Sequence, residues 1–265
     1  MRHDAFGDRM KKYEYTTRNY LLARTPIIIR LDGTHFHTFA KNLDKPFDKV
    51  MVKAMQETML FLCKKIPGVM LGYTQSDEIS LFIQNYENLE TSTWFDGNIQ
   101  KIVSVSASMA SAQFAKEFMW YADEYCDWLG DTDYEKIKKY HEAMNKGAYF
   151  DARVFNIPKE EVTNYFLWRE MDAMRNSINM VGFAKFSPKL LFGKTTKEIT
   201  EILAESGVNY DAYPTYLKRG SCCRKICMEG EIRPKWVVDL DIPVFKNEGR
   251  KYIDDLVYFQ ESEKI

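Results

Sequence analysis

No apolar run in the 265-residue chain approaches the ~20 residues that a bilayer-spanning helix needs. The N-terminal stretch MRHDAFGDRMKKYEYTTRNY also lacks the apolar segment of a secretory leader, so a cytoplasmic location is expected. An excess of one charge is missing too: 37 Lys and Arg stand against 38 Asp and Glu, for a net charge of −1. Such a chain does not coat nucleic acid by bulk charge, and any RNA contact has to run through local basic patches. Cysteines are few and odd in number. The five (Cys63, Cys126, Cys222, Cys223, Cys227) make no even disulfide set and read as reduced thiols. SCCRKIC has no second Cys/His pair at zinc spacing, and His3, His35, His37 and His141 lie far from it in sequence, which argues against a zinc centre. Internal repeats and low-complexity linkers are absent. What is there is an ordinary globular composition, 45% hydrophobic and 28% charged. The length suits one large domain or two small ones with a real core.

Patterning places the elements. TPIIIRLDG (25–33) is a β-branched run between a proline and a glycine, and predicts a buried strand ending at Asp32. Residues 48–66 carry Met51, Met55, Met59 and Leu62 at helical spacing. Asp48 suits the N-cap, Pro67-Gly68 stops the helix, and the methionines read as core filler. In GVMLGYTQSDEISLFI two strand-like runs, 69–73 and 79–83, flank a polar stretch, which is a hairpin signal. Residues 97–118 are rich in small side chains and suit a helix packed closely on a sheet. The tyrosine- and acid-rich residues 120–146 change composition and read as a partly helical surface insertion. Residues 148–157 form another strand, and Pro158 opens a helix to about Met180 with Glu160 and Glu161 in its first turn. Thr195 and Glu198 make a capping box for a helix that Gly207 stops, and RPKWVVDLDIPVF holds a further strand. The order strand–helix–hairpin–helix–strand is that of an α+β, ferredoxin-like split βαβ fold. That fold hosts many functions, so function has to be argued from a site.

Asp77 and Glu78 sit side by side near the hairpin tip, and Asp32 ends the first strand. A split βαβ sheet can bring these elements together, so that three carboxylates converge at one edge. Mg²⁺ would relieve their repulsion, since it takes oxygen ligands and is commonly held by one or two carboxylates plus substrate phosphates. Two such ions can clamp a phosphoryl displacement. The plainer reading is an exposed acidic turn beside a strand-ending turn, and these residues alone leave both open. Alternation adds a constraint. In an extended strand Asp77 and Glu78 point to opposite faces, so one at most shares a metal with Asp32 unless the turn or a bulge re-aims the other.

RLDGTHFHTFAKNLDKPFDKVM, GYTQSDEISLF, WFDGNIQKIVSVSASMASAQF and FDARVFNIPKEEVTNYFLWREMDAMRNSI, in that order and extended by YPTYLKRGS, resemble the tRNA-His guanylyltransferase superfamily. The resemblance implies a polymerase-type palm with helical and C-terminal additions. It implies 3′–5′ addition of nucleotides to the 5′ end of a tRNA, after activation of that end by ATP, with GTP or other nucleoside triphosphates as substrates. Asp32, Asp77 and Glu78 would form the catalytic set. Asp32, Asp77 and the Gly33 carbonyl would hold two Mg²⁺ ions. Ser76 and Lys45 would meet triphosphate, and His37 and Lys101 would lie near the nucleotide. A homotetramer is also implied.

One departure narrows the reading. Where members specific for tRNA-His carry His-Ile-Asn-Asn, this chain has Met174-Arg175-Asn176-Ser177. That resembles the guanylyltransferase-like branch, which favours template-dependent repair of 5′-truncated tRNAs. Arg175, Asn176, Lys218 and Arg219 are candidate RNA contacts; a helix-surface salt bridge and a solvated charged loop are their plainer alternatives. The palm is expected over residues 1–157 and an RNA-contacting helical and C-terminal region over 158–265. Strict guanylyl transfer to tRNA-His, a non-catalytic RNA-binding palm and a nucleotide cyclase are the competing functions.

Overall fold

In the computed structural model, residues 4–88, 90–227, 230–231 and 233–258 are described; His3 and positions 259–265, the end of the expected C-terminal region, lie outside them. The strands are β1 (Ile27–Thr34), β2 (Val69–Gln75), β3 (Glu78–Ile83), β4 (Tyr149–Asn156), β5 (Ser221–Ile226) and β6 (Lys235–Asp239). They form one sheet in the order β4-β1-β3-β2-β5-β6, every neighbour antiparallel. The first four strands keep the split βαβ order. The last two come from the C-terminal region, which therefore completes the palm sheet as well as packing on it. The helices are α1 (Ala5–Tyr15), α2 (Phe36–Phe39), α3 (Lys49–Lys65), α4 (Ile99–Leu129), α5 (Tyr134–Lys146), α6 (Lys159–Lys185), α7 (Pro188–Leu191), α8 (Thr196–Glu205), α9 (Thr215–Arg219) and α10 (Lys251–Val257).

Alternation along β1 decides what each sheet face meets. Ile27, Ile29 and Leu31 point one way and pack with Ile79, Leu81 and Ile83 against α3, α4 and α5. Ile28, Arg30 and Asp32 point the other way, as do Phe82, Ser80 and Glu78 on β3. This second face is apolar at one end, where Ile28 and Phe82 pack with Val162, Tyr165 and Phe166 of α6. It turns polar toward the end of β1, and that change of character opens the site. A third cluster joins the far half of α6 to α7 and α8 through Val181, Leu191, Ile199 and Leu203.

The 120–146 stretch is not a surface insertion. Buried positions of α4 recur every fourth residue, Ile102, Ser106, Ala110, Phe114, Phe118, Ala122 and Cys126, so the helix runs on past 118. α5 then folds back and buries Tyr140 and Ala143 in the main core. Tyrosines and acids fill the outer faces, which is what shifted the composition. Tyr140 is also a structural tie. Its hydroxyl donates to the buried Asp48 carboxylate at 2.6 Å, and Asp48 caps α3 through the Met51 amide at 2.8 Å. Tyr140→Phe removes a charge-assisted bond from a buried acceptor. A loss of about 1.5–3 kcal/mol is expected, read from the urea midpoint with an unchanged m-value.

Candidate active site

The hairpin turn is two residues, Ser76 and Asp77, between paired Gln75 and Glu78. Ser76 takes the positive φ of 49° that a primed turn needs at its first central position. Its hydroxyl donates to Asp77 Oδ1 at 3.0 Å. The turn is pinned to β1 because the Gly33 amide donates to the Asp77 carbonyl at 3.0 Å. Asp32 stands directly opposite Glu78 on one side and Asp151 on the other. Gly33 is required by close approach: a Cβ there would overlap the Phe36 ring.

Burial dominates the electrostatics of the cluster. Burial raises the Asp32 carboxyl above its ordinary value; Arg30 works against the rise and Asp151 adds to it. Asp77 is raised as well, first by burial, with Asp32 contributing. Burial also raises Glu78, and Arg169 opposes that rise. A divalent cation between Asp32 and Asp77 would remove the disadvantage of their charged forms. Among the described residues no three His, Cys, Asp or Glu side chains are grouped to hold a metal ion by themselves. The donors on hand fit an ion that takes two carboxylates and completes its shell with phosphate and water, as Mg²⁺ does.

Beside the turn lies a small, open-sided pocket. Phe47, Met51 and Met55 form one wall, Asn176 and Met180 of α6 another, and Ser76 stands at its edge. Gln56 donates to Ser221 at 2.9 Å on its floor. Gly220 shapes this floor: its φ is +86°, and a Cβ would sit 2.6 Å from the Thr74 carbonyl. The strand directions put the start of α3, the hairpin tip and the middle of α6 at one end of the sheet.

The other candidate residues divide. Lys45 is exposed on the loop two residues before Phe47, and His37 is exposed on α2, just past β1. Asn176 lines the cavity, while Arg175 is exposed and paired with Asp172 at 2.7 Å. Lys218 donates to the Asp211 carbonyl at 2.7 Å. Two residues fall elsewhere. Lys101 lies in the first turn of α4, ten residues before Ser111, whose hydroxyl accepts from the Phe150 amide opposite Gly33. At ~1.5 Å per residue it sits about 15 Å down the helix from the carboxylates, so one chain does not bring it to them. Arg219 turns inward. It donates to Glu170 at 3.1 Å and to the Ile242 carbonyl at 2.6 Å, which makes it a structural tie and no free RNA contact.

Arg169, Glu170 and Asp172 went unread in the sequence. A signal existed: α6 buries Val162, Phe166, Ala173 and Ser177 along one stripe, and Arg169 and Glu170 occupy that stripe where apolar residues are expected. Ser177, at the end of the departing block, bonds the Tyr210 hydroxyl at 2.6 Å and the Lys218 carbonyl at 3.1 Å.

In fold, and in the nucleotide chemistry of its relatives, this is a palm-type nucleotidyltransferase. The tRNAHis guanylyltransferase family profile matches residues 7–158, more than half of the chain, and the chain belongs to that family. A bacterial tRNA(His) guanylyltransferase-like protein solved in complex with ATP is 39% identical, with a TM-score of 0.82 over 97% of this chain and 100% of that one. A second structure of a bacterial guanylyltransferase-like protein, with GTP, gives a TM-score of 0.77. The tRNA(His) guanylyltransferase of Debaryomyces hansenii is 26% identical over 222 residues, covering 78% of this chain and 76% of its own. Among the described residues no helix is long and apolar enough to cross a membrane.

Proposed function

We propose that the chain is a Mg²⁺-dependent 3′–5′ nucleotidyltransferase that restores the 5′ ends of truncated tRNAs, using ATP to activate a 5′-monophosphate. The observation that carries this reading is the contiguity of the Asp32–Asp77 pair with a mostly apolar pocket, joined at Ser76. Asp32, Asp77 and the Gly33 carbonyl would hold the metal. Bound there, it would neutralise the triphosphate and favour the attacking hydroxyl. Phe47, Met51 and Met180 suit the faces of a purine, and Asn176 and Gln56 offer polar edges. Lys45 and Ser76 would meet the triphosphate between pocket and carboxylates, and His37 would lie near the nucleotide. The ATP and GTP complexes of the bacterial proteins support nucleotide binding at this fold.

Repair is favoured over strict guanylyl transfer to tRNA-His by Met174-Arg175-Asn176-Ser177. Ser177 is committed to packing, and Asn176 faces the nucleotide cavity, so this block presents little that could read one tRNA. The 39% identity to a guanylyltransferase-like protein, against 26% to the Debaryomyces hansenii enzyme, supports the same choice.

The test is incubation of 5′-truncated, 5′-monophosphorylated tRNAs with ATP, the other nucleoside triphosphates and Mg²⁺. Extension of several tRNA species at similar kcat/KM is expected. Extension of tRNA-His alone would establish the strict guanylyltransferase, and no extension of any tRNA would overturn the reading.

A further inference from the structure

Glu78 stands opposite Asp32 in register, yet its carboxylate is already engaged. Oε1 accepts from Arg169 Nε at 2.8 Å and from the Ser80 hydroxyl at 3.2 Å, and Oε2 lies 2.8 Å from Arg169 Nη2. Both side chains are only 7% exposed. Arg169 is itself held from two further sides. Its Nη2 donates to Asp172 Oδ2 at 2.8 Å, and its guanidinium lies 4.3 Å from the Trp168 ring centroid. A two-point arginine–carboxylate fork is rigid and strongly oriented.

Resting on the metal-dependent reading above, we infer that Arg169 is a positioning residue that sequesters Glu78 and so divides the three carboxylates. Asp32 and Asp77 stay open to a cation, while Glu78 is closed against the helix. The consequences are chemical. Two carboxylates leave coordination positions on Mg²⁺ for triphosphate oxygens, whereas a third would take one of them. The turn that carries Asp77 is held without the fork, by the Gly33 amide on the Asp77 carbonyl and by the backbone pairing of Gln75 with Glu78. An RNA or triphosphate contact by Arg169 itself is disfavoured by its burial and its two carboxylate partners.

Mn²⁺ is the probe, titrated into the full chain with a non-hydrolysable ATP analogue and followed by electron paramagnetic resonance. Asp77→Asn is expected to weaken Mn²⁺ binding at least about tenfold, and Glu78→Gln to leave it within about twofold of wild type. Arg169→Met should free Glu78 and tighten Mn²⁺ binding, and adding Glu78→Gln should return the affinity to the wild-type value. Arg169→Lys keeps the charge without the fork, and should lower kcat about tenfold with KM for ATP within about twofold. Equal losses for Glu78→Gln and Asp77→Asn would overturn the sequestration, as would unchanged Mn²⁺ binding in Arg169→Met. Where Arg169→Met fails to fold, the comparison of Glu78→Gln with Asp77→Asn decides alone. A wild-type protein that binds no Mn²⁺ at all would overturn the metal-dependent reading first, and the sequestration with it.

Discussion

Asp77→Asn is expected to lower nucleotide addition by about 10²–10³-fold or more, the scale on which removal of one preorganised electrostatic stabiliser is felt. The fold should survive and become more stable. Asp77 carries a native carboxyl value above its ordinary 3.8, from burial and from Asp32. Between the ordinary and the raised value the folded chain binds more protons than the unfolded one. Stability is therefore lost as pH rises through that window, and the penalty is complete above it. Asparagine has no such penalty. Its melting temperature should exceed that of wild type at neutral pH, and the difference should fade as pH falls below the ordinary value of 3.8. Mg²⁺ with ATP should stabilise wild type more than Asp77→Asn, since a ligand bound to the native state shifts the equilibrium in proportion to its affinity. Retained activity, or a variant less stable than wild type at neutral pH, would contradict the placement of Asp77 in the cation site.

Glu170→Ala is expected to produce the largest loss of stability. Glu170 is fully buried and answers two donors from the C-terminal region: Arg219 at 3.1 Å and the Phe245 amide at 2.9 Å. Burial raises its carboxyl value, and those two donors partly offset the rise. Alanine would strand a guanidinium that is 16% exposed and orphan a buried backbone amide. A cost of about 3–5 kcal/mol follows from breaking one side of a buried pair. Urea midpoints measure it, and a loss below about 1 kcal/mol, the scale of an exposed pair, would refute it. The double variant Glu170→Met/Arg219→Met should lose less than the sum of the single changes, because no charge is then left alone. Such a loss of stability would separate Arg219 from a surface residue proposed to contact RNA, whose loss is expected to weaken binding and leave stability alone.

Both variants turn on residues that the sequence treats unequally. Asp77 was readable: a strand, a two-carboxylate turn and a strand ending in Asp32 are local patterns, and their order is that of a split βαβ sheet. The Asp48 cap of α3 and the Thr195–Glu198 capping box were readable for the same reason, since each partner lies within one helical turn. α4 was cut short because composition was followed beyond 118 where the buried period should have been. β5 was missed because RGSCCRK has the charge of a solvated loop, while its pairing to β2 buries Cys222 and Cys223. Lys101 matched a family motif, but the end of the sheet from which α4 starts is not written in the motif.

The sequence by itself determined the order of the elements, the faces of β1 and β3, and the three carboxylates, because hydrophobic period, caps and turn chemistry act over a few residues. Alternation parts Asp77 from Glu78 only in an extended strand, and Asp77 lies in the turn before β3. Which of them is paired and which is left without a counter-charge among the described residues was decided by the tertiary structure, through Arg169 at a separation of 91 residues from Glu78. It also turned Arg219 toward Glu170, 49 residues away, and set the pocket between α3, the hairpin and α6. The physical reason is that a long, flexible charged side chain takes whatever counter-charge the fold brings within reach, and that choice exists only once the fold has formed.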